Sequence, residues 1–177
     1  RRETGGLVNI QATNAPHMLF SEDNVVAKFN HNKSQWGLFY NLSARNFKKT
    51  YTDIDETYVL ENKTIHRVQE GLHDQNKHFT HNIDLSYNLT EQDKYVFNVV
   101  FRNSVYDAPC LNQSNKLYDA ADADNYIFSR LKNKQSSYTP SLDLYYQRTL
   151  PKNQMLTMSV TGTLMHTCLL YTSPSPR

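Results

Sequence analysis

The chain has 177 residues, which suits one domain, and its formal net charge of +2 is too small to indicate a nucleic-acid-binding surface. The hydrophobic content of 38% excludes a helical membrane protein, and no apolar run approaches the length of a membrane-spanning helix. The chain is rich in Tyr (12) and Phe (8), which favour β-strands, whereas Gly (5) and Pro (6) are few. A membrane β-barrel is compatible with this composition, because only alternate residues of its strands face lipid.

The first strands are predicted by alternation of apolar and polar residues. They span residues 6–13 and 24–31, with a loop at residues 14–23 between them. The third strand begins at Gln35, and its apolar residues lie at even positions, whereas those of the second strand lie at odd ones. A hairpin then keeps both sets on one face only if its loop is even, so Lys33 and Ser34 are the predicted turn. The expected cross-strand partners are Phe29 with Leu38, Ala27 with Tyr40 and Val25 with Leu42.

The third strand is predicted to continue as a long protruding ribbon through Tyr51 to Leu60, where residues 61–63 form a turn. The fourth strand returns over residues 64–89 and is predicted to be interrupted at Gly71. Residues 46–77 are largely polar, so this part of the ribbon forms one long polar excursion.

Two further hairpins are predicted from the phase of their apolar residues. Both apolar sets around Gln92 are odd-numbered and both sets around Lys152 are even-numbered, so each loop must have an odd number of residues. Residues 91–93 and 151–153 supply such loops. The fifth, sixth and seventh strands are therefore predicted at residues 94–106, 136–149 and 154–164. The polar stretch at residues 107–135 is predicted to be a long loop with a helical turn at residues 120–124.

The predicted sheet has one aromatic and aliphatic face and one polar face, which suits a membrane barrel with a wet lumen. Its tight turns lie at one end and its long polar excursions at the other, as in outer-membrane barrels. The pattern predicts an all-β fold, an antiparallel meander of about seven strands. The residues expected to face lipid are Trp36, Leu38, Tyr40, Leu85, Tyr87, Tyr95, Phe97, Val99, Phe101, Leu144, Tyr146 and Met158.

The last ten residues, 168–177, break the strand pattern. They look like the in-frame translation of a transposon-type sequencing adapter, with a match at every codon. We therefore expect the gene to have continued beyond about Thr167. Residues 168–177 should have no biological role and should not extend the last strand.

Three segments carry a family resemblance: RRETGGLVNI at residues 1–10, DKYVFNVVFRN at residues 93–103 and SLDLYYQRTL at residues 141–150. They resemble the TonB-dependent-receptor-like outer-membrane β-barrel proteins of Bacteroidetes, and the resemblance covers residues 1–167. The basic start at Arg1 and Arg2 looks like the exit from a plug domain into the first barrel strand.

The resemblance implies that residues 1–167 are an open N-terminal part of a larger transmembrane β-barrel in the outer membrane of a Gram-negative bacterium, with a plug domain upstream and further strands downstream. The parent protein would take up a nutrient such as a glycan or a siderophore. Its implied partners are outer-membrane lipid, TonB acting through the plug region, and a surface lipoprotein. No nucleic-acid partner is implied.

Enzyme signatures are weak, so we expect no enzyme, no catalytic residue, no cofactor and no bound metal. His78 and His81 differ by an odd number and should point to opposite faces of a strand, which opposes a metal site with His73. The acidic sets Asp53, Asp55, Glu56 and Asp119, Asp122, Asp124 lack the spacing of a calcium-binding EF-hand loop. Cys110 is predicted to be a lone loop cysteine, so no disulfide is expected.

Ligand contacts are predicted at aromatic residues in the polar excursions, because aromatic faces suit the apolar surfaces of ligands such as sugars. The candidates are Tyr51, Tyr58, Tyr106, Tyr118 and Tyr126. A soluble β-sandwich that binds a ligand or acts as an adhesin is the alternative to a barrel. It would use the same alternation, but its turns should recur every 8 to 12 residues or so.

Overall fold

The structure is a computed structural model that describes residues 4–17 and 19–172. The strands are β1 (Gly5–Ala15), β2 (Phe20–His31), β3 (Ser34–Thr50), β4 (Ile54–Leu60), β5 (Lys63–Gly71), β6 (Asp74–Glu91), β7 (Tyr95–Asp119), β8 (Asp122–Leu150), β9 (Gln154–Thr163) and β10 (His166–Thr172). All of them belong to one antiparallel sheet, which curls into an open half-barrel. The first two predicted strands are each longer than expected, so the loop between them is short.

Ten strand segments make seven strands of a meander, because three strands are interrupted. β3 continues into β4, β5 into β6 and β9 into β10. Each couple forms one interrupted strand beside the same neighbouring strands. Thr163 pairs with Ser141 and His166 pairs with Tyr138, so the register does not change across the gap between β9 and β10. The predicted all-β antiparallel meander of about seven strands is confirmed.

Three tight turns lie at one end of the sheet. Pro151–Asn153 is a short 3-10 turn at the predicted place. The turn after β6 comprises residues 92–94, one residue later than predicted, and keeps the predicted odd length. The turn after β2 is Asn32 and Lys33, so the predicted register was wrong by two residues. Asn32 has a φ of 52°, a left-handed value that asparagine adopts more readily than lysine or serine.

The corrected register changes every predicted pair of this first hairpin but leaves each side chain on its predicted face. The observed pairs are Phe29 with Trp36, Ala27 with Leu38 and Val25 with Tyr40. A shift by two residues preserves the face because side chains alternate with a period of two.

The long ribbon predicted from Gln35 to Leu89 is present. Its strands are interrupted at residues 51–53 and at Leu72 and His73, the second break lying directly after Gly71. Glu61 and Asn62 form its turn with φ values of 49° and 65°, so the loop is one residue shorter than predicted. Two consecutive positive φ values are typical of the hairpin turns whose twist matches that of the flanking strands.

The loop and helical turn predicted at residues 107–135 were wrong. β7 continues to Asp119 and β8 starts at Asp122, and the two strands pair along nearly their whole length. Strand pairing uses backbone groups, so it can continue where the side chains no longer alternate between apolar and polar. The sequence lacks that alternation here, and the strands were therefore missed.

The expectation that the tail cannot extend the last strand was also wrong. Residues 168–172 lie in β10, where Cys168 pairs with Ser136 and Thr172 with Lys132. The exposed backbone groups of β8 pair with this segment whatever its side chains are. Residues 1–3 and 173–177, which carry the predicted basic start and the end of the tail, lie outside the described residues.

The sheet has almost no hydrophobic core. Among the described residues, Ala108 is the one hydrophobic side chain that is fully buried, whereas many large apolar side chains are exposed. No helix in the described ranges is long and apolar enough to cross a membrane.

Candidate functional site

The two faces of the sheet differ in chemistry. We call the face that carries Leu85 and Phe101 the apolar face, and the face that carries Ser86 and Asn98 the polar face. Directly paired residues of antiparallel strands share a face, so the register arranges the apolar face in rows across the sheet. Three adjacent rows are Gly6, Phe29, Trp36, Tyr87, Val99, Leu144, Val160; then Val8, Ala27, Leu38, Leu85, Phe101, Leu142, Gly162; then Ile10, Val25, Tyr40, Ile83, Asn103, Pro140. None of these residues is charged.

Ionisable residues begin on both sides of this uncharged band. At the turn end, His31 pairs with Ser34, which pairs with Leu89, and in the following row Glu91 and Arg148 flank Tyr95. Towards the other end, His81 pairs with Leu42, which pairs with Asp23. The eight residue steps from Leu89 to His81 span about 27 Å along β6 at about 3.4 Å per residue. A strand tilted by about 40° would make this roughly 21 Å of height, close to the ~25 Å apolar band of outer-membrane barrels.

The apolar face is exposed and rich in aromatic rings. Phe29 is 51% exposed, Trp36 54% and Val160 58%. The rings of Trp36 and Tyr87 lie 4.3 Å apart between centroids. All twelve residues predicted to face lipid lie on the apolar face, as the strand register shows. An exposed apolar surface this large marks a place where a protein contacts another protein or a membrane.

The polar face carries a hydrogen-bonded row of side chains across four strands. Asn41 Nδ2 donates to Asn24 Oδ1 at 2.7 Å, and Asn82 Nδ2 donates to Asn41 Oδ1 at 3.3 Å. Ser104 Oγ donates to Asn82 Oδ1 at 2.7 Å. Such a row satisfies amides by bonds to one another and leaves a hydrophilic surface.

Salt bridges connect two neighbouring turns. Glu91 Oε1 lies 2.8 Å from Lys33 Nζ and 2.9 Å from Lys94 Nζ. Hydrogen bonds from Lys33 and Lys94 lower the pKa of the Glu91 carboxyl from its usual 4.5 to about 2. The hydrogen bond that Lys94 donates to the Glu91 carboxylate raises the pKa of Lys94. This contact links the first and second tight turns.

A cavity of about 530 Å³ lies on the polar face, where three adjacent strands are irregular. The breaks after β3 and β5 meet there, together with a bulge of β7 between Ala108 and Leu111. Side chains from β3, β6, β7 and β8 line it, so the sheet is concave on its polar side. Gly71 permits the close approach of the two breaks, since a Cβ there would lie 2.5 Å from Thr52 N.

The predicted ligand-contacting tyrosines do not form one site. Tyr51 lines the cavity from the break between β3 and β4. The other four lie on strands, not in loops. Tyr118 pairs with Tyr126 far along the β7–β8 ribbon, where Lys116 Nζ lies 5.2 Å and 4.4 Å from their ring centroids.

The cavity residues Asp74, Asn115 and Asn133 were not identified from the sequence. Asp74 follows a strand break, and the other two lie in a stretch where a loop was predicted. Their burial depends on strands that are distant in the sequence. The sequence contained no local signal for them.

The histidines and acidic residues make separate local contacts. His78 pairs with Arg45 and His81 with Leu42, so the two histidines point to opposite faces as predicted. His81 Nδ1 lies 2.8 Å from Tyr40 Oη. No group of three His, Cys, Asp or Glu side chains in the described ranges is placed to hold a metal ion.

The acidic candidates and Cys110 make contacts that are separate from one another. Asp53 Oδ1 accepts a hydrogen bond from Gly71 N at 2.8 Å, and the Asp55 carboxylate contacts His66 Nε2. Asp119 Oδ1 accepts from Ala121 N within the turn after β7. Cys110 lies on β7 and donates to Gln75 O at 3.1 Å, so the predicted loop position was wrong.

Comparison of the chain with protein-family models, with curated proteins and with solved structures finds no match. The two faces and the cavity are therefore the basis for the function.

Proposed function

We propose that this chain is part of an outer-membrane β-barrel, with its apolar face against lipid and its polar face lining a water-filled lumen. The single observation that carries the proposal is the band of three uncharged rows across the whole sheet. No other element covers this band in the described part of the chain. Exposure of such an apolar surface to water is unfavourable in free energy, whereas its contact with lipid is not.

The open sheet edges support the proposal that further strands complete the barrel. In the described ranges, β1 pairs only with β2, and β9 and β10 pair only with β8. Each unpaired backbone group in hydrocarbon costs several kcal/mol, which an open edge cannot avoid. Strands from the same polypeptide or from another copy would close it.

The family resemblance supplies the biological context of this proposal. A TonB-dependent-receptor-like parent would take up a nutrient such as a glycan or a siderophore across the outer membrane. TonB would act through a plug, and a surface lipoprotein would be a further partner. No catalytic role is proposed. A soluble sandwich is less well supported, because it needs two stacked sheets and every described strand belongs to one sheet.

The proposal is tested with Trp36, the single tryptophan of the chain. The full chain is folded into phospholipid vesicles, and its fluorescence is measured with two quenchers: bromine atoms on the lipid acyl chains and acrylamide in water. Trp36 lies on the apolar face, so brominated lipid should quench it strongly and acrylamide weakly.

A matched variant reports on the opposite face. Trp36→Phe combined with Ser86→Trp moves the reporter to the polar face, next to Tyr87 in the same strand. Its fluorescence should then be quenched by acrylamide and not by brominated lipid. Equal quenching of the two reporters by brominated lipid, or stronger quenching of Trp36 by acrylamide, would refute the membrane assignment.

A further inference from the structure

Asp74 is a buried carboxylate that is only partly satisfied. It is 8% exposed and lines the cavity on the polar face. Ser114 Oγ donates to Asp74 Oδ1 at 3.1 Å. Asp74 Oδ2 is also buried, and it has no hydrogen-bond partner within residues 4–17 and 19–172. A buried carboxylate oxygen without a donor is costly, so a donor that reaches this oxygen from the cavity would remove that cost.

Two further acceptor oxygens of the same cavity are unpartnered. Asn115 Oδ1 and Asn133 Oδ1 are buried and receive no hydrogen bond from the described part of the chain. Asn133 pairs with Leu111, which precedes Asn115 by four residues on β7. The two amides are thus separated by roughly 13 Å along the strand at about 3.3 Å per residue. This spacing is too long for one metal ion and fits an extended ligand with several donors.

The charge of the cavity favours a ligand of one sign of charge over the other. Among the described residues that line the cavity there is one acid, Asp74, and one imidazole, His78, and there is neither lysine nor arginine. Tyr51 stands at the edge of the cavity, with its ring 5.0 Å from that of His73 between centroids. Aromatic faces attract cations, and a carboxylate binds an ammonium group through a charge-assisted hydrogen bond. An anionic ligand would meet uncompensated acceptors.

We propose that this cavity binds an extended organic cation with several N–H donors, a linear polyamine being the simplest example. One ammonium group bonds Asp74 Oδ2, and further N–H groups reach the oxygens of Asn115 and Asn133. The volume of about 530 Å³ lies within the ~300–1,000 Å³ of small-molecule sites. The inference depends only on the cavity and stands whether or not the apolar face meets lipid.

The test is calorimetric titration of spermidine into the full chain folded in detergent micelles. Asp74→Asn keeps the shape of the side chain and its bond to Ser114 but removes the charge. It should weaken binding about tenfold to a hundredfold, the usual effect of losing a hydrogen bond to a charged group. Asp84→Asn is the matched control, because it removes the same charge from the same strand outside the cavity.

A second variant covers the case in which Asp74→Asn does not fold, which far-UV circular dichroism would reveal. Asn133→Leu retains Asp74, removes one acceptor and should weaken binding several-fold. The proposal is overturned if spermidine does not bind, or if Asp84→Asn weakens binding as much as Asp74→Asn. Tighter binding of the uncharged sugar maltotriose, unaffected by Asp74→Asn, would also overturn it and would indicate a polyol site. Failure of this test leaves the quenching of Trp36 unaffected, so the two proposals fail separately.

Discussion

Replacing Val99 by arginine should destabilise the chain folded in lipid, whereas the same change at Val100 should not. Val99 lies on the apolar face, paired with Tyr87 and Leu144. Val100 is its neighbour in the strand and lies on the polar face. The two variants add the same charge and the same volume, one residue apart. They therefore differ only in the face that receives the guanidinium group.

The size of the effect follows from depth in the band. Arginine on the lipid face costs about 2–4 kcal/mol at the middle of the bilayer and about 0–1 kcal/mol near the interface. The middle uncharged row contains Phe101, and Val99 lies one row away, about 7 Å along the strand. We expect about 3 kcal/mol for Phe101→Arg, about 2 kcal/mol for Val99→Arg and less than about 1 kcal/mol for Tyr95→Arg, which lies in the row of Glu91.

Val100→Arg should change the free energy of unfolding by less than about 0.5 kcal/mol. Val100 pairs with Ser86 and Asp143, so the new guanidinium would lie beside a carboxylate and water. The measurement is unfolding by urea in phospholipid vesicles, followed by Trp36 fluorescence and far-UV circular dichroism. Equal losses for Val99→Arg and Val100→Arg, or a loss that does not depend on depth, would refute the assignment of the faces.

The other predictions concern single contacts and the open edges. Gly71→Ala should cost about 1–3 kcal/mol in the same urea assay, because its Cβ would lie 2.6 Å from Thr52 O, whereas Gly162→Ala, with nothing within 4 Å, should be neutral. Asn41→Ala should cost about 1–2 kcal/mol by removing two hydrogen bonds of the polar row, and no loss would contradict that row. Because the pKa of Glu91 is lowered from 4.5 to about 2, its contribution should be full above pH 4.5 and lost as the pH falls to about 2. Glu91→Gln should flatten stability over that range, and an unchanged pH profile would exclude the contact with the lysines. In water without detergent, the chain should aggregate through β1 and β9, and a monodisperse monomer by ultracentrifugation would contradict the open edges.

Much of the fold could be predicted from the sequence where one face of a strand is apolar. The alternation around Val99 and Leu144 placed these residues on one face, and the register agrees. The parity rule gave the right loop lengths at Pro151–Asn153 and at residues 92–94 because a slip by one residue would expose every apolar side chain on the wrong face. A slip by two residues leaves the faces unchanged, which is why the parity rule did not detect the error at Asn32.

The part of the sheet beyond the uncharged band could not be predicted in this way. Residues 107–135 lie beyond the uncharged band, where neither face has to be apolar, and their strands pair through backbone groups, which leave no alternating pattern in the sequence. The pairing of residues 168–172 with β8 has the same cause.

Alternation and loop parity are local properties that each strand carries, and they were sufficient to predict a two-faced antiparallel meander. Where the strands break, and which residues those breaks bring together, depends on contacts between strands that are distant in the sequence. The cavity forms because the gaps after β3 and β5 and the bulge of β7 meet at one level. Asp74, Asn115 and Asn133 are ordinary polar residues in the sequence, and burial against distant strands is what leaves their oxygens without donors.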